Sequence, residues 1–113
     1  MNIDVNRVLI AVTVPTEKVN EVRNAMCEAG AGIIGNYTYC STTTKCIGTF
    51  KPNNLATPFI GEKNKMEFVE EEKIETVCNI KDVKTVISKM KEVHPYEEPA
   101  ISIIPLLDEE YFN

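Results

Sequence analysis

The apolar and polar positions sort the chain into extended runs and helical stripes. Val8–Val14 (VLIAVTV) is a continuous apolar, β-branched run of 7 residues. It is too short for a buried helix and suits a central strand covered on both sides or nearly so. Pro15 stops it, because proline has no N–H to give to a ladder. Thr16 is placed to cap a helix, with Glu17 in the first turn where the helix dipole favours an acid. Val19, Val22 and Met26 then recur at helical spacing beside Ala25 and Ala29, while Lys18, Glu21 and Glu28 take the other faces. This predicts an amphipathic helix packed on a sheet and ended by Gly30.

After Gly35-Asn36 the segment YTYCSTTT is rich in aromatic and β-branched residues. It predicts a strand from about Asn36 that turns near Thr43–Lys45 and returns through Cys46–Lys51. Pro52–Lys65 carries two prolines, three asparagines and a glycine and reads as a long loop. Met66–Asn79 is strand-like again, although the charges of VEEEK predict exposure on one face or a bulge. Asp82 is placed to cap a second helix, whose stripe is Val83, Val86, Ile87, Met90 and Val93. Pro95 drives His94 toward extended geometry and ends that helix. The last strand is Ala100–Leu107, with Pro105 pointing to an edge position or to the strand's exit. In the acidic tail, Tyr111 and Phe112 are candidates to dock on a neighbour. The order strand, helix, strand, strand, helix, strand predicts an α+β fold of the ferredoxin-like βαββαβ sandwich type. Its antiparallel sheet carries two helices on one face, and residues 1–113 form a single domain. The other face must be polar or covered, and assembly into a homo-oligomer is one way to cover it.

Composition narrows the function classes. The chain has 113 residues, 43% hydrophobic and 26% charged, so it can form a packed core. No apolar run reaches the ~18 residues of a membrane span. MNIDVNR lacks the pattern of a secretory signal, so a cytoplasmic location is expected. A net charge of −5 argues against a binder of nucleic-acid phosphates. The four cysteines at 27, 40, 46 and 78 lack a CxxC pair and are expected to stay reduced, with Cys27 and Cys78 as small core residues.

Several groups could carry chemistry. Gly30–Gly35 matches GxGxxG, but a helix precedes it and a strand follows. That order offers no helix N-terminus to a pyrophosphate, so the glycines read as a helix end and a tight turn. HPYEEPA concentrates the single histidine with two acids and a tyrosine. His94 and Glu97 could hold a divalent metal if their side chains converge, or the segment is architectural. Cys40 and Cys46 flank the expected turn and would face each other across a hairpin. They would be a site for a soft metal or a disulfide, or simply small strand residues. The Pro52–Lys65 loop is long for a compact domain and carries Leu55, Phe59 and Ile60, which must pack on something. It is the clearest sign of a binding surface. A nucleophilic enzyme is poorly supported, with His94 the only candidate base and Glu97 and Glu98 adjacent on an extended chain, where they diverge. No catalytic residue is assigned.

Four blocks in order, GAGIIGNYTYCS, GTFKP, PFIGEKNKMEFVEEEKIETV and HPYEEPAISIIPL, resemble the PII/CutA-like domain inserted in YqfO-type NIF-three-like proteins. The resemblance runs from about Val8 to Leu107, and the HPYE-P element also resembles CutA divalent-cation-tolerance proteins. It implies a ferredoxin-like sandwich that self-associates as a trimer or dimer. It also implies a strand two–three loop that contacts small ligands or partner proteins, here Phe59, Ile60 and Gly61, with His94, Tyr96 and Glu97 from the CutA-like segment. The full NIF-three-like proteins add a larger metal-binding domain with several histidine and acidic ligands. The chain carries none of that set and is expected to be the insert alone. The leading expectation is a non-enzymatic, cytoplasmic binding or sensing module for a small ligand or divalent metal. The alternatives are a metal-dependent hydrolase of the larger family and a pure protein-interaction domain.

Overall fold

A computed structural model describes residues 3–112. β1 (Arg7–Pro15) leads through a 3-10 turn (Thr16–Lys18) into α1 (Val19–Glu28). β2 (Thr42–Phe50) and β3 (Glu67–Asn79) follow, then a second 3-10 turn (Ile80–Asp82), α2 (Val83–Val93), β4 (Ile101–Leu106) and a terminal 3-10 turn (Glu109–Phe112). The sheet is antiparallel in the order β2-β3-β1-β4. This is the expected ferredoxin-like α+β sandwich. β1 is the expected central strand, and β4 with its Pro105 is an edge strand.

The core forms where one parity of the sheet meets both helices. Val8, Ile10, Val12 and Val14 of β1 and Ile74 and Cys78 of β3 pack with Val22 and Met26 of α1 and Val86 and Met90 of α2. Each large aliphatic side chain so buried contributes about 1.5–3 kcal/mol relative to exposure. Cys27 and Cys78 are buried as expected, and all four cysteines are free. Burial raises the pKa of both buried thiols. No helix among the described residues is long and apolar enough to cross a membrane.

Three local expectations are corrected. Neither Thr16 nor Asp82 caps a helix with its side chain; both helices are entered through 3-10 turns, in which backbone groups take up the first hydrogen bonds. No reversal occurs at Thr43–Lys45: Thr42–Phe50 is one continuous strand paired with β3 throughout. That stretch holds no residue that favours a turn, and its β-branched side chains suit a ladder. The actual reversal comes earlier, at Gly35-Asn36, where Ile34 and Tyr37 exchange backbone hydrogen bonds of 3.0 and 2.9 Å. Of the two readings offered for VEEEK, exposure on one face holds and the bulge does not, since β3 keeps unbroken register with both neighbours. On the helix side its charges Glu70 and Glu72 are tolerated because they stand clear of the buried core, which on β3 starts at Ile74. Beyond that point Ile47 and Phe68 stand 69% and 70% exposed on the same face of a projecting β2–β3 ladder.

The two ends of the domain meet. The Tyr111 hydroxyl accepts from the Asp4 N–H at 3.0 Å and donates to the Asp4 carbonyl at 3.3 Å. Asp108 binds Asn6 at 3.0 Å and Arg7 at 3.2 Å, and these donors hold its carboxyl below the usual aspartate pKa.

Candidate functional site: a cleft under the β2–β3 loop

The site begins where α2 ends. His94 takes the extended backbone that Pro95 demands. Its ring then turns inward and is 7% exposed. Nε2 lies 2.9 Å from the Thr13 carbonyl, and Nδ1 accepts the Tyr96 N–H at 3.1 Å. A carbonyl can only accept and an amide N–H can only donate, so these partners define a neutral ring protonated at Nε2. Burial accordingly lowers the His94 pKa, against the opposing pull of the Thr13 bond and the Glu71 charge.

The locked histidine sets the position of Tyr96. Its ring lies 5.1 Å from His94 and 6.0 Å from Phe50, tilted against both. Its hydroxyl donates to Glu71 Oε2 at 2.6 Å. Burial, then that bond and the Glu71 charge, push the Tyr96 pKa well above the usual tyrosine value. Glu71 belongs to the sheet face opposite the helices and is only 5% exposed. It fits because β2 offers Gly48 there. A Cβ at that position would stand 1.9 Å from Glu71 Oε1.

The loop after β2 closes over this group. Glu97 Oε1 accepts the Thr57 N–H at 3.0 Å, tying the loop to the α2–β4 connection. Asn64 donates to Asn54 at 2.6 Å across the loop. Gly61 has φ +91°, and a Cβ there would sit 2.4 Å from Glu67 Cγ, so the loop's return requires glycine. Between loop and connection lies a cleft of about 560 Å³. Phe50, Pro52, Leu55, Phe59 and Ile60 form its apolar wall, and Tyr96, Glu97, Glu98 and Glu71 its polar one.

Phe59, Ile60, Tyr96 and Glu97 therefore come together at one cleft. Gly61 shapes the loop without lining the cleft, and His94 lies beneath Tyr96 with both ring nitrogens engaged. Cys46 pairs directly across from Glu71, and burial, aided by that acid, raises its thiol pKa. Cys40 lies before β2, where its carbonyl accepts the Thr76 hydroxyl at 2.8 Å. Without the expected hairpin, Cys40 and Cys46 do not face each other. Among the described residues no group of three or more His, Cys, Asp or Glu side chains is arranged to hold a metal ion. The sequence reading missed Glu71, Gly48 and Phe50. An isolated glycine within a β-branched strand is a signal of close approach and could have found Gly48.

No family model matches the chain. It is 47% identical over 100 residues to a GTP cyclohydrolase 1 type 2 homolog of Halalkalibacterium halodurans, covering 88% of the chain and 27% of that protein. A solved Bacillus cereus protein related to NIF3 superposes with TM-score 0.77 at 38% identity, over 90% of the chain and 26% of that protein. CutA1 from a Shewanella species superposes with TM-score 0.70 at 17% identity, over 96% of the chain and 91% of that protein, a likeness of fold. The chain thus spans about a quarter of the length of the curated relatives it matches. In sequence the chain is similar to about a quarter of GTP cyclohydrolase 1 type 2 homologs and of a NIF3-related protein, and in fold it is like the CutA proteins.

Proposed function

We propose that this domain is a non-enzymatic cytoplasmic module that binds or senses a small ligand in the cleft under the β2–β3 loop and acts as a homo-oligomer. The observation that carries the reading is the buried Glu71 carboxylate, held by Tyr96 on one oxygen and bordering an apolar cleft of about 560 Å³. Ligand sites have this make-up: mostly apolar walls with a few fixed polar groups. A small ligand is favoured over a divalent metal because both nitrogens of His94 already have partners. The same engagement speaks against the metal-dependent hydrolase that the relatives' name suggests, since Nδ1, the one unprotonated nitrogen of His94, already accepts the Tyr96 N–H. Assembly is supported by the sheet face opposite the helices. There Leu9, Val69, Val77, Ile104 and Leu106 keep apolar surface open, while Ile47 and Phe68 add more on the helix-side face of the projecting ladder.

A fragment screen by amide NMR tests the binding reading. Hits are expected to move the amides of Lys51, Thr57 and Glu97 together, and Ile60→Arg is expected to abolish them. Hits scattered elsewhere, or none at all, would overturn it. Light scattering on the eluting protein tests the assembly, and a monomer at every concentration would remove that part.

A further inference from the structure

We propose that the cleft selects a small organic cation, an amine or guanidinium group on an apolar body. The inference rests on the binding reading above and names the ligand's chemistry. Glu71 is almost fully buried, yet among the described residues no Lys, Arg or His side chain comes within 4 Å of it as an ion-pair partner. One of its oxygens takes the Tyr96 hydroxyl. The other, Oε1, receives no hydrogen bond from the described residues, and the side chain lines the cleft. Oε1 is not sealed from solvent, so within the cleft it is open to a hydrogen-bond donor that a ligand brings.

The rest of the polar wall has the same bias. Tyr96 has spent its only proton on Glu71 and can offer a ligand only a lone pair. Glu97 holds the loop through one oxygen, and Glu98 adds a third acid. Lys51 is the one basic side chain of the lining. Three acids against one base disfavour an anionic ligand and favour one that carries positive charge on N–H groups. Phe50, Leu55, Phe59 and Ile60 supply an apolar surface for the body of such a ligand, and the aromatic faces of Phe50 and Tyr96 are suited to a cation.

Three probes with one body and different heads test this: phenethylamine, 2-phenylethanol and phenylacetate, titrated at neutral pH while cleft amides are followed by NMR. Phenethylamine is expected to bind about tenfold or more tightly than the alcohol, the usual size of a charge-assisted contact. Phenylacetate is expected to bind more weakly still. Glu71→Gln keeps an acceptor for Tyr96, so the cleft survives. It is expected to bring the amine to within about twofold of the alcohol and leave the alcohol's affinity unchanged. If alcohol or acid binds as tightly as the amine, or if the amine's preference survives Glu71→Gln, the cation inference is overturned and the binding reading stands. If no probe moves a cleft amide, the inference is likewise overturned, and the fragment screen decides the binding reading separately.

Discussion

Gly48→Ala is a small change with a calculable effect. Gly48 sits in regular β2 backbone, paired with Val69, so the main chain can accept alanine. The new methyl would stand 1.9 Å from Glu71 Oε1 and 2.6 Å from its Cδ. Backbone on both sides is fixed by the ladder, so the carboxyl must swing away and release the Tyr96 hydroxyl. A hydrogen bond to a charged group contributes about 1.5–3 kcal/mol. Alanine in place of glycine in a strand returns about 0.5–1 kcal/mol through the unfolded chain's entropy. The net expectation is a loss of about 1–2 kcal/mol, or a Tm lower by roughly 5–15 °C in a domain of this size. Denaturant unfolding at fixed protein concentration measures it, with the slope checked for constancy. The route is tested by repeating the change in a Tyr96→Phe background, where the bond is already gone and Gly48→Ala should cost little. Equal cost in both backgrounds, or a Gly48→Ala protein as stable as the parent, would refute the reasoning.

Four further outcomes are expected. Because the folded Tyr96 pKa is raised, its stabilising share is full below the unfolded tyrosine value near ~10 and is lost as pH climbs through the folded value; denaturant midpoints should fall above about pH 10, and less steeply in Tyr96→Phe. The His94 pKa is lowered, so its share is full above the unfolded value near ~6.5 and is lost as pH falls below it. Midpoints measured from about pH 7 to 5 should decline, and an equal decline in His94→Gln would assign the effect to other groups. Glu97→Ala removes the acceptor of the Thr57 N–H, so hydrogen exchange at Thr57 should quicken severalfold while β1 amides keep their protection. Met90→Ala empties a fully buried position and should cost about 2–5 kcal/mol in the same unfolding assay.

The elements most readable in the sequence are those whose pattern is local. The stripe of α2 places Val86 and Met90 in the core, and the β-branched run of β1 becomes the central strand. The reversal of the chain was misplaced by several residues because Thr42–Cys46 is held extended by its partner strand, whose identity no local pattern carries. Glu71 was hidden for a similar reason. On its face of β3 the sequence reads Val69, Glu71, Lys73, Glu75, Val77, and nothing marks one acid of the series as buried. What buries it is Tyr96, 25 residues further along the chain, together with the missing side chain at Gly48. His94 shows the opposite case: its residue type suggests a ligand or base, while its neighbours use both nitrogens to build a corner.

The meeting of Asp4 with Tyr111 has a consequence for how such a unit can be carried. Closing a flexible loop costs entropy that grows with its length, about 0.6 kcal/mol for each doubling. A folded segment whose ends are joined by hydrogen bonds escapes that scaling. To any host polypeptide it is a detour that leaves and returns at one point, however many residues it contains. It can be spliced into a surface turn without prising the host's flanking elements apart. Beside that junction the bonds of Asn6 and Arg7 to Asp108 tie the two ends a second time.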